Sequence, residues 1–381
     1  MTSKLDLSAL IRFQRLRQRA SSRAGTAPSG DGRLVEITGF GSNPGELRML
    51  AYVPPGLPQG APLVVALHGC TQTAGGYDLG CGWSDMADRC GFALLMPEQR
   101  RSNNAHLCFN WFEPGDTRRG AGEALSIQQM VARMVQDDGL DPARVFISGL
   151  SAGGAMTAVM LATYPEVFAG GALVAGLPYG VAHGVGEALK AMSRPGNLTG
   201  KLRGDAVRAA SRHSGPWPRV AVWHGDADST VHPDNAQESV KQWLDLHGLA
   251  GVAPQQSRGA AGHSITRWAR NDGQVQVALH RVPGLGHGVP LAPGREAGCC
   301  GRAGPYLLDV GLSSTHAILE FWGLEAEGPA LPDMEVIPPG APEPPRQATP
   351  AGTRDWSDLV SAEGPGAVIT KALRAAGLMK G

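Results

Sequence analysis

The stretch RVFISGLSAGGAMTAVMLATY, residues 144–164, decides the fold. It begins with the residues of a buried strand, and its last ten residues, AMTAVMLATY, form an apolar helical pattern. Between them, residues 149–153 (GLSAG) fit G-x-S-x-G, a motif that places a serine on a strained turn between a strand and a helix. The five-residue match alone is weak in a chain with 53 glycines. Because the required strand and helix flank it, the motif predicts that Ser151 is a nucleophile.

Strand and helix patterns alternate on both sides of this stretch. Arg33–Phe40 and Glu46–Val53 predict a hairpin around GSNPG, and nearly unbroken apolar runs predict strands buried on both faces of a parallel sheet. The fold class is therefore α/β, with a mostly parallel central sheet and helices on both faces, as in the α/β-hydrolase fold. The apolar runs are 62–69, 92–99, 168–176, 219–225 and 274–282, and the helical patterns are 83–92, 123–138 and 235–247.

Changes in composition suggest the domain boundaries. Residues 31–325 carry the alternating pattern and form the predicted catalytic domain, while 1–30 read as a helical or flexible tail. Within the domain, 178–216 are rich in Gly, Ala and basic residues and predict a lid-like insertion with one helical stretch near 201–212. Residues 326–352 read as a Pro-rich linker, and 353–381 as a short helical segment.

The acid partner of a serine nucleophile in this fold follows a later strand. RVAVWHGDADSTVHP supplies that strand and places Asp226 and Asp228 after it. Asp228 is preferred because it lies deeper in the loop and precedes a turn-like Ser-Thr-Val. Asp226 is the alternative, with a structural role in capping the turn through backbone amides.

The base is expected in a loop after the next strand. QVQVALHRVPGLGHGVP places His287 there, between Gly286 and Gly288. His280 falls within the strand pattern, and His263 falls upstream in a polar stretch, so both are predicted to be structural. The order Ser, Asp, His therefore predicts a triad in which His287 takes the proton of the serine hydroxyl.

An acyl-transfer site also needs N–H donors for the oxyanion. The residue after the nucleophile, Ala152, supplies one. The second is assigned to Cys70, in the loop His68-Gly69-Cys70 that follows an apolar strand. This chemistry requires neither a metal nor an organic cofactor, so none is predicted.

The overall composition limits which kinds of partner this protein is expected to bind. Lys plus Arg and Asp plus Glu both number 34, so a balanced net charge gives no reason to expect nucleic acid. No apolar run approaches the length of a transmembrane helix. The N-terminus lacks the apolar core of a secretory signal, which predicts a cytoplasmic protein, with secretion as the alternative. The six cysteines would permit disulfides and form no paired zinc-ligand motif.

Several longer motifs together resemble the polyhydroxybutyrate depolymerase family of esterases, over roughly residues 33–325. The combination of HGCTQ with CFNWF is the most specific part. The resemblance implies hydrolysis of short-chain polyhydroxyalkanoates or their oligomers, with a granule surface as a possible partner. It supports the triad and the two oxyanion donors. The motifs are HGCTQTAGGYDLGCGWSDMADRCGFALLMPEQ, CFNWFEPGD, GLSAGGAMTAVML, WHGDADSTVHP, GLGHGVP and LDVGLSSTHAILEFWGL.

The same resemblance has further implications. Trp111 and Trp223 match aromatic residues near the family's substrate groove, and Cys70 and Cys108 could pair as a disulfide in exported relatives. The family is related to feruloyl and acetylxylan esterases, which leaves a carbohydrate esterase as the rival function. A non-catalytic binding scaffold is the alternative of a different class, and it would not require a complete triad.

Apolar side chains also suggest a groove for the substrate. Trp83, Phe109 and Phe112 join Trp111 as candidates to line it, and packing in the core is an equally good role for each.

Overall fold

The computed structural model describes residues 33–259, 262–294 and 296–325, together with the backbone of a short strand at 335–337. The strands in this part of the chain are β1 (Val35–Ile37), β2 (Arg48–Tyr52), β3 (Leu63–Leu67), β4 (Ala93–Glu98), β5 (Val145–Leu150), β6 (Gly170–Val174), β7 (Arg219–Gly225), β8 (Gln255–Arg258), β9 (Ser264–Ala269), β10 (Val275–Val282), β11 (Val289–Leu291), β12 (Leu307–Asp309) and β13 (Glu335–Ile337). Eleven of them form one sheet in the order β1-β2-β4-β3-β5-β6-β7-β10-β9-β8-β13, and β11 and β12 form a separate two-stranded sheet.

The centre of the sheet is parallel, from β4 through β3, β5, β6 and β7 to β10. Strands β3, β4 and β5 are buried along their whole length, as their unbroken apolar sequences predict. Because all these strands point the same way, the loops after β3, β5, β7 and β10 emerge at one edge of the sheet. That edge is where ligands bind in open α/β sheets.

Antiparallel strands flank the parallel centre on both sides. The predicted hairpin is confirmed, since β1 pairs antiparallel with β2, and β2 continues antiparallel onto β4. On the other side β9 pairs antiparallel with β10, and β8 pairs antiparallel with β9. Neither strand forms an apolar run in the sequence, because β8 is mostly polar and exposed and only two of the six residues of β9 are buried.

Helices cover both faces of the sheet, which confirms the predicted fold class. The helices are α1 (Ala74–Cys81), α2 (Trp83–Cys90), α3 (Gly122–Asp138), α4 (Ala152–Thr163), α5 (Val185–Ser193), α6 (Gly200–Ser211), α7 (Asp234–Leu246) and α8 (Ser314–Trp322). One hydrophobic core lies between one face of the sheet and the helices α3, α4, α6 and α7. The second core lies between the other face and the helices α1, α2 and α8.

The predicted insertion at 178–216 holds two helices rather than one. α6 matches the predicted stretch, and α5 precedes it. Asn235 Nδ2 donates to Ala191 O at 3.0 Å, and a buried ion pair joins Arg203 to Glu238 at 2.9 Å. Both contacts fasten the insertion to α7, and its role as a lid stays a prediction.

Three of the predicted segments lie mainly outside the described residues. Residues 1–30 and 353–381 do so entirely. Within the predicted linker at 326–352, the strand β13 pairs antiparallel with β8, so those three residues belong to the sheet. Among the residues that the structure describes, none of the helices combines the length and apolar character needed to cross a membrane.

Candidate active site

Ser151 sits on the sharp turn between β5 and α4. Its backbone has φ 57° and ψ −115°, a conformation that is strained for a residue with a side chain. The turn needs glycine on both sides. A Cβ on Gly149 would lie 2.4 Å from the Gly153 carbonyl carbon, and one on Gly153 would lie 2.3 Å from Leu67 O. The two motif glycines therefore let the turn press against the end of β3 and hold the serine in place.

Two hydrogen bonds join Ser151, His287 and Asp228. The Ser151 Oγ and His287 Nε2 are 2.9 Å apart, and His287 Nδ1 lies 2.8 Å from Asp228 Oδ2. Since a carboxylate can only accept, the Nδ1 atom carries the proton and Nε2 is free to accept the serine proton. The three residues follow different strands, β5, β7 and β10, and the structure brings them together as the sequence predicted.

Asp228 is held from several directions in a pocket that leaves 5% of it exposed. Its Oδ1 accepts hydrogen bonds from the backbone N–H groups of Thr230 at 2.8 Å and Val231 at 2.9 Å. Burial alone would raise the pKa of Asp228, but hydrogen bonds from His224 and His287 outweigh it and hold that pKa well below its ordinary value. The carboxylate is therefore charged and rigid.

His224 was not singled out from the sequence. Its Nε2 lies 3.2 Å from Asp228 Oδ2 and 2.9 Å from Val231 O. This residue is the penultimate residue of β7 and stands four positions before the acid. Only the folded loop brings the two side chains together, so a reading of the local pattern could not find the contact.

Asp226 has a structural role, but its partner belongs to a distant loop and not, as the sequence had predicted, to its own turn. It is exposed, and its Oδ1 accepts a hydrogen bond from Gly284 N at 2.6 Å. This bond fastens the loop of Asp228 to the loop that carries His287. The geometry thus favours Asp228 over Asp226 as the partner of the histidine.

The loop of His287 is braced by Tyr306, which the sequence analysis missed. Val289 N donates to Tyr306 O at 2.8 Å, and a Cβ on Gly288 would lie 2.7 Å from that oxygen. The tyrosine ring meets the imidazole edge to face, with centroids 6.1 Å apart. Glycine after the histidine is therefore required by the close approach of the Tyr306 backbone.

The two predicted oxyanion donors lie on segments that touch each other. Ala152 is the first residue of α4, so its N–H has no acceptor within the helix. Cys70 follows the end of β3, and a Cβ on Gly153 would lie 2.6 Å from His68 O in that same segment. The segment that carries Cys70 therefore lies against the serine turn, and the assignment of both N–H groups as oxyanion donors stays a prediction.

A disulfide joins Cys70 to Cys108, the pair that the family resemblance implied. Thr71 N also donates to His106 O at 2.6 Å. The segment after β3 is therefore fastened twice to the loop at residues 104–112.

The aromatic candidates divide into two groups. Trp111 is 8% exposed and meets Phe112 edge to face at 5.3 Å, in the same core cluster as Ala152. Trp83 and Phe109 are fully buried core residues. Trp111 and Phe112 therefore stay the predicted groove residues.

The prediction that Trp223 lines the groove is wrong. Its side chain is 1% exposed and stacks on His280, with ring centroids 3.8 Å apart. His263 stacks on the same group at 5.2 Å, and its Nε2 lies 3.1 Å from His280 Nδ1. Because β7 is buried on both faces, Trp223 packs in the core although it lies near the end of a strand beside the triad.

The remaining polar chemistry is limited. Across 33–259, 262–294 and 296–325, no group of three or more His, Cys, Asp or Glu side chains is arranged to hold a metal ion. The hydrogen-bonded serine, histidine and aspartate, with N–H donors beside the serine, form an arrangement suited to acyl transfer.

The fold and this arrangement together define the α/β-hydrolase class. A family model described as "Esterase PHB depolymerase" matches residues 47–274. The chain belongs to this family, and it is a carboxylic ester hydrolase.

Individual relatives agree with this assignment. Poly(3-hydroxyalkanoate) depolymerase C of Paucimonas lemoignei is 45% identical over 292 residues, which cover 76% of this chain and 70% of that protein. Feruloyl esterase B of Talaromyces funiculosus is 31% identical over 265 residues, covering 68% and 73%. Among solved structures, an acetyl xylan esterase from Aspergillus awamori aligns with a TM-score of 0.65 and 26% identity, over 77% of this chain and 100% of that one.

Proposed function

We propose that this protein hydrolyses short-chain polyhydroxyalkanoates, such as poly(3-hydroxybutyrate), or their oligomers. The observation that carries the proposal is the 45% identity to a poly(3-hydroxyalkanoate) depolymerase over 76% of the chain. The hydrogen-bonded side chains of Ser151, His287 and Asp228 supply the chemistry that such an ester needs.

In the proposed reaction, Ser151 Oγ attacks the ester carbonyl while His287 Nε2 takes the hydroxyl proton. The N–H groups of Cys70 and Ala152 stabilise the oxyanion, and Asp228 stabilises the imidazolium. The C–O bond to the leaving 3-hydroxyl group then breaks, and His287 protonates that oxygen. Water, deprotonated by His287, then attacks the acyl-enzyme. The bond to Ser151 Oγ breaks, His287 returns the proton to that oxygen, and the carboxylic acid is released.

The test is release of 3-hydroxybutyrate from amorphous poly(3-hydroxybutyrate) granules by the wild type and by Ser151→Ala. Release by the wild type alone would support both the substrate and the nucleophile. If granules and soluble oligomers both stay intact while p-nitrophenyl acetate is cleaved through Ser151, the polyester proposal fails and the ester chemistry stands.

Esterases acting on carbohydrate side chains are the second candidate. The observation in their favour is the alignment to an acetyl xylan esterase over the whole of that chain, with feruloyl and acetylxylan esterases among the relatives. Acetylated xylan and methyl ferulate, assayed beside the polyester, separate the two. A higher kcat/KM on a sugar-linked ester than on hydroxybutyrate oligomers would favour this function.

The non-catalytic scaffold considered from the sequence does not agree with membership of this esterase family. A serine-directed phosphonate tests the proposed nucleophile directly. The wild type is expected to label once, at Ser151, and Ser151→Ala is expected not to label.

We also propose that this protein resides in an oxidising compartment. The Cys70–Cys108 disulfide favours an oxidising compartment over the cytoplasm that the sequence predicted, because cytosolic thiols are kept reduced. Intact mass after thiol alkylation, on protein taken from its own host, tests this. Free thiols at both positions would restore the cytoplasmic prediction.

A further inference from the structure

We infer that Gln99 and Glu123 are positioning residues that keep the oxyanion hole in its catalytic geometry. This inference rests on the proposed ester hydrolysis through Ser151. Both side chains are buried, Glu123 with 1% of its surface exposed. Their hydrogen bonds go to the two segments that the Cys70–Cys108 disulfide connects.

The first link runs through His68, which is fully buried directly before the oxyanion segment. Gln99 N donates to His68 Nε2 at 3.2 Å, so Nε2 is the unprotonated nitrogen. The proton is therefore on Nδ1, which donates to Gly69 O at 2.8 Å. Burial lowers the pKa of His68 and keeps this neutral form.

The hydrogen bond from His68 Nδ1 to Gly69 O fixes the direction of the Cys70 N–H, one of the two proposed oxyanion donors. In a trans peptide, the carbonyl oxygen and the following N–H point to opposite sides of the plane. Since Gly69 O is held against His68, the N–H of Cys70 is aimed away from that ring. The side-chain hydrogen bonds of Gln99 hold its backbone in place, so their loss would let the backbone shift and release the imidazole and the Gly69–Cys70 peptide.

The second link runs through the side chain of Gln99. Its Nε2 donates to Cys108 O at 3.0 Å and to Glu123 Oε1 at 2.5 Å. Its Oε1 accepts from Arg100 N at 2.9 Å and from Asn103 Nδ2 at 2.9 Å. Every position of the amide is used, which fixes its orientation.

Glu123 completes the connection from the start of α3. Its second oxygen, Oε2, accepts from Asn110 N at 2.9 Å. One carboxyl group thus holds Gln99 and the loop at residues 104–112. Through the disulfide and the bond from Thr71 N to His106 O, this loop returns to Cys70. The hydrogen bonds and the disulfide therefore enclose the oxyanion segment in one connected ring of contacts.

Within the described part of the chain, the hydrogen bonds of Gln99 and Glu123 reach none of the three triad side chains. Their effect should therefore appear in the stabilisation of the oxyanion and not in proton transfer. Small displacements of catalytic groups can cost about 100-fold in rate.

The experiment measures p-nitrophenyl acetate hydrolysis by the full chain as Gln99→Ala, Glu123→Gln and the double variant. Glu123→Gln keeps the shape but replaces one accepting oxygen by an NH2 group, so one of its two partners loses its acceptor. We expect kcat to fall about 10- to 100-fold with KM within about 3-fold, because a whole oxyanion donor is worth about 100- to 1,000-fold. Rates are expressed per site titrated with phosphonate, so unfolded protein does not count.

Two further readouts separate positioning from a merely structural role. The affinity for a boronic acid, which forms a tetrahedral adduct, should fall in proportion to kcat/KM across the variants. The double variant should lose no more than the worse single variant, since both act through one network. The matched control is Glu36→Gln, a half-buried glutamate paired with Arg48 on the sheet edge, which should keep wild-type kcat.

Unchanged kcat and boronic acid affinity per titrated site would overturn the inference, even if the variants melt at lower temperature. Additive losses in the double variant would also overturn it. Failure of the proposed function looks different, because the wild type itself would then neither turn over the ester nor react with the phosphonate.

Discussion

Two histidines lie on or just after the strand β10, and their surroundings have opposite characters. His287, after β10, bonds to the carboxylate of Asp228 and to the hydroxyl of Ser151. His280, within β10, bonds to another imidazole, His263, and stacks on Trp223. The two histidines are only seven positions apart in the sequence, so the same residue type can be compared in two different surroundings.

The hydrogen-bonding partner of each imidazole determines whether it can transfer protons. A charged carboxylate can stabilise the imidazolium that forms in catalysis. The stacked pair has no such support, and burial, with Arg267 nearby, lowers the pKa of His263 to about 4. Burial, with His263 and Arg267 nearby, also lowers the pKa of His280 well below its ordinary value. The first site therefore suits proton transfer, and the second suits packing of neutral rings.

Replacing each histidine in turn gives the largest contrast. His287→Ala is expected to lower kcat on p-nitrophenyl acetate by on the order of 10^6-fold, since triad members act as a unit. His280→Gln is expected to keep kcat within about 3-fold per titrated site, because its ring is 5% exposed and bonds away from the triad. A comparable loss of kcat in both variants would erase the distinction between the sites.

The two aspartates after β7 give the next contrast. Asp228→Asn is expected to lower kcat by about 10^4-fold, because an amide can hold the wrong tautomer of His287. Asp226→Asn should cost only a few-fold, since it keeps an oxygen that can accept from Gly284 N. Steady-state kinetics from pH 6 to pH 9 test this, and a larger loss at Asp226 would reverse the assignment of the acid.

The stacked pair should make the protein sensitive to acid. Both pKa values lie lower in the folded protein, so between about 6.5 and about 4 the unfolded chain binds more protons than the folded one. Stability contributed by these neutral rings is thus present above pH 6.5 and lost as the pH falls toward 4. Each group adds up to about 1.4 kcal/mol per pH unit to the slope.

Urea unfolding at intervals from pH 7.5 to pH 4.5 measures this slope. Replacing His263 and His280 together by Gln should make it shallower. His183→Gln, at an exposed position, is the control and should leave it unchanged. An identical slope in the double variant and the wild type would show that other groups carry the acid sensitivity.

The smallest expected effects distinguish the two tryptophans. Trp223→Phe should leave KM for an ester unchanged and lower the free energy of unfolding by about 1–3 kcal/mol, because the ring is in the core. Trp111→Ala should raise KM several-fold if the ring borders the substrate groove. KM values on hydroxybutyrate oligomers and urea unfolding curves, measured for both variants, distinguish a groove residue from a core residue. A raised KM at Trp223 would return it to the substrate groove.

The sequence predicted those parts of the site that depend on local pattern and chain order. The turn at Ser151 needs particular small residues within five positions, and Asp228 and His287 had to follow successive strands of a parallel sheet. These requirements are visible without coordinates. The helix α1 was missed because its sequence, AGGYDLGC, contains three glycines and relies on Thr73 as its N-cap.

Other features depend on contacts between distant residues, and no local pattern shows them. The family resemblance predicted that Trp223 lines the substrate groove, but its side chain packs in the core. Both faces of β7 are buried, so a position near the end of this strand does not expose the side chain. Gln99 and Glu123 are separated by 24 residues and meet only through tertiary packing. Their roles depend on which backbone groups they satisfy, and the sequence does not record this.

The order of the triad along the chain has a practical consequence. The segment between α7 and β8, from Ala250 to Pro254, is exposed and separates Asp228 from His287. A break there would leave the nucleophile and the acid on one fragment and the base on the other. The two halves would be inert apart and competent only when reunited. The fold thus contains a natural place to build a complementation reporter, in which the appearance of colour from a chromogenic ester registers the meeting of two fused proteins.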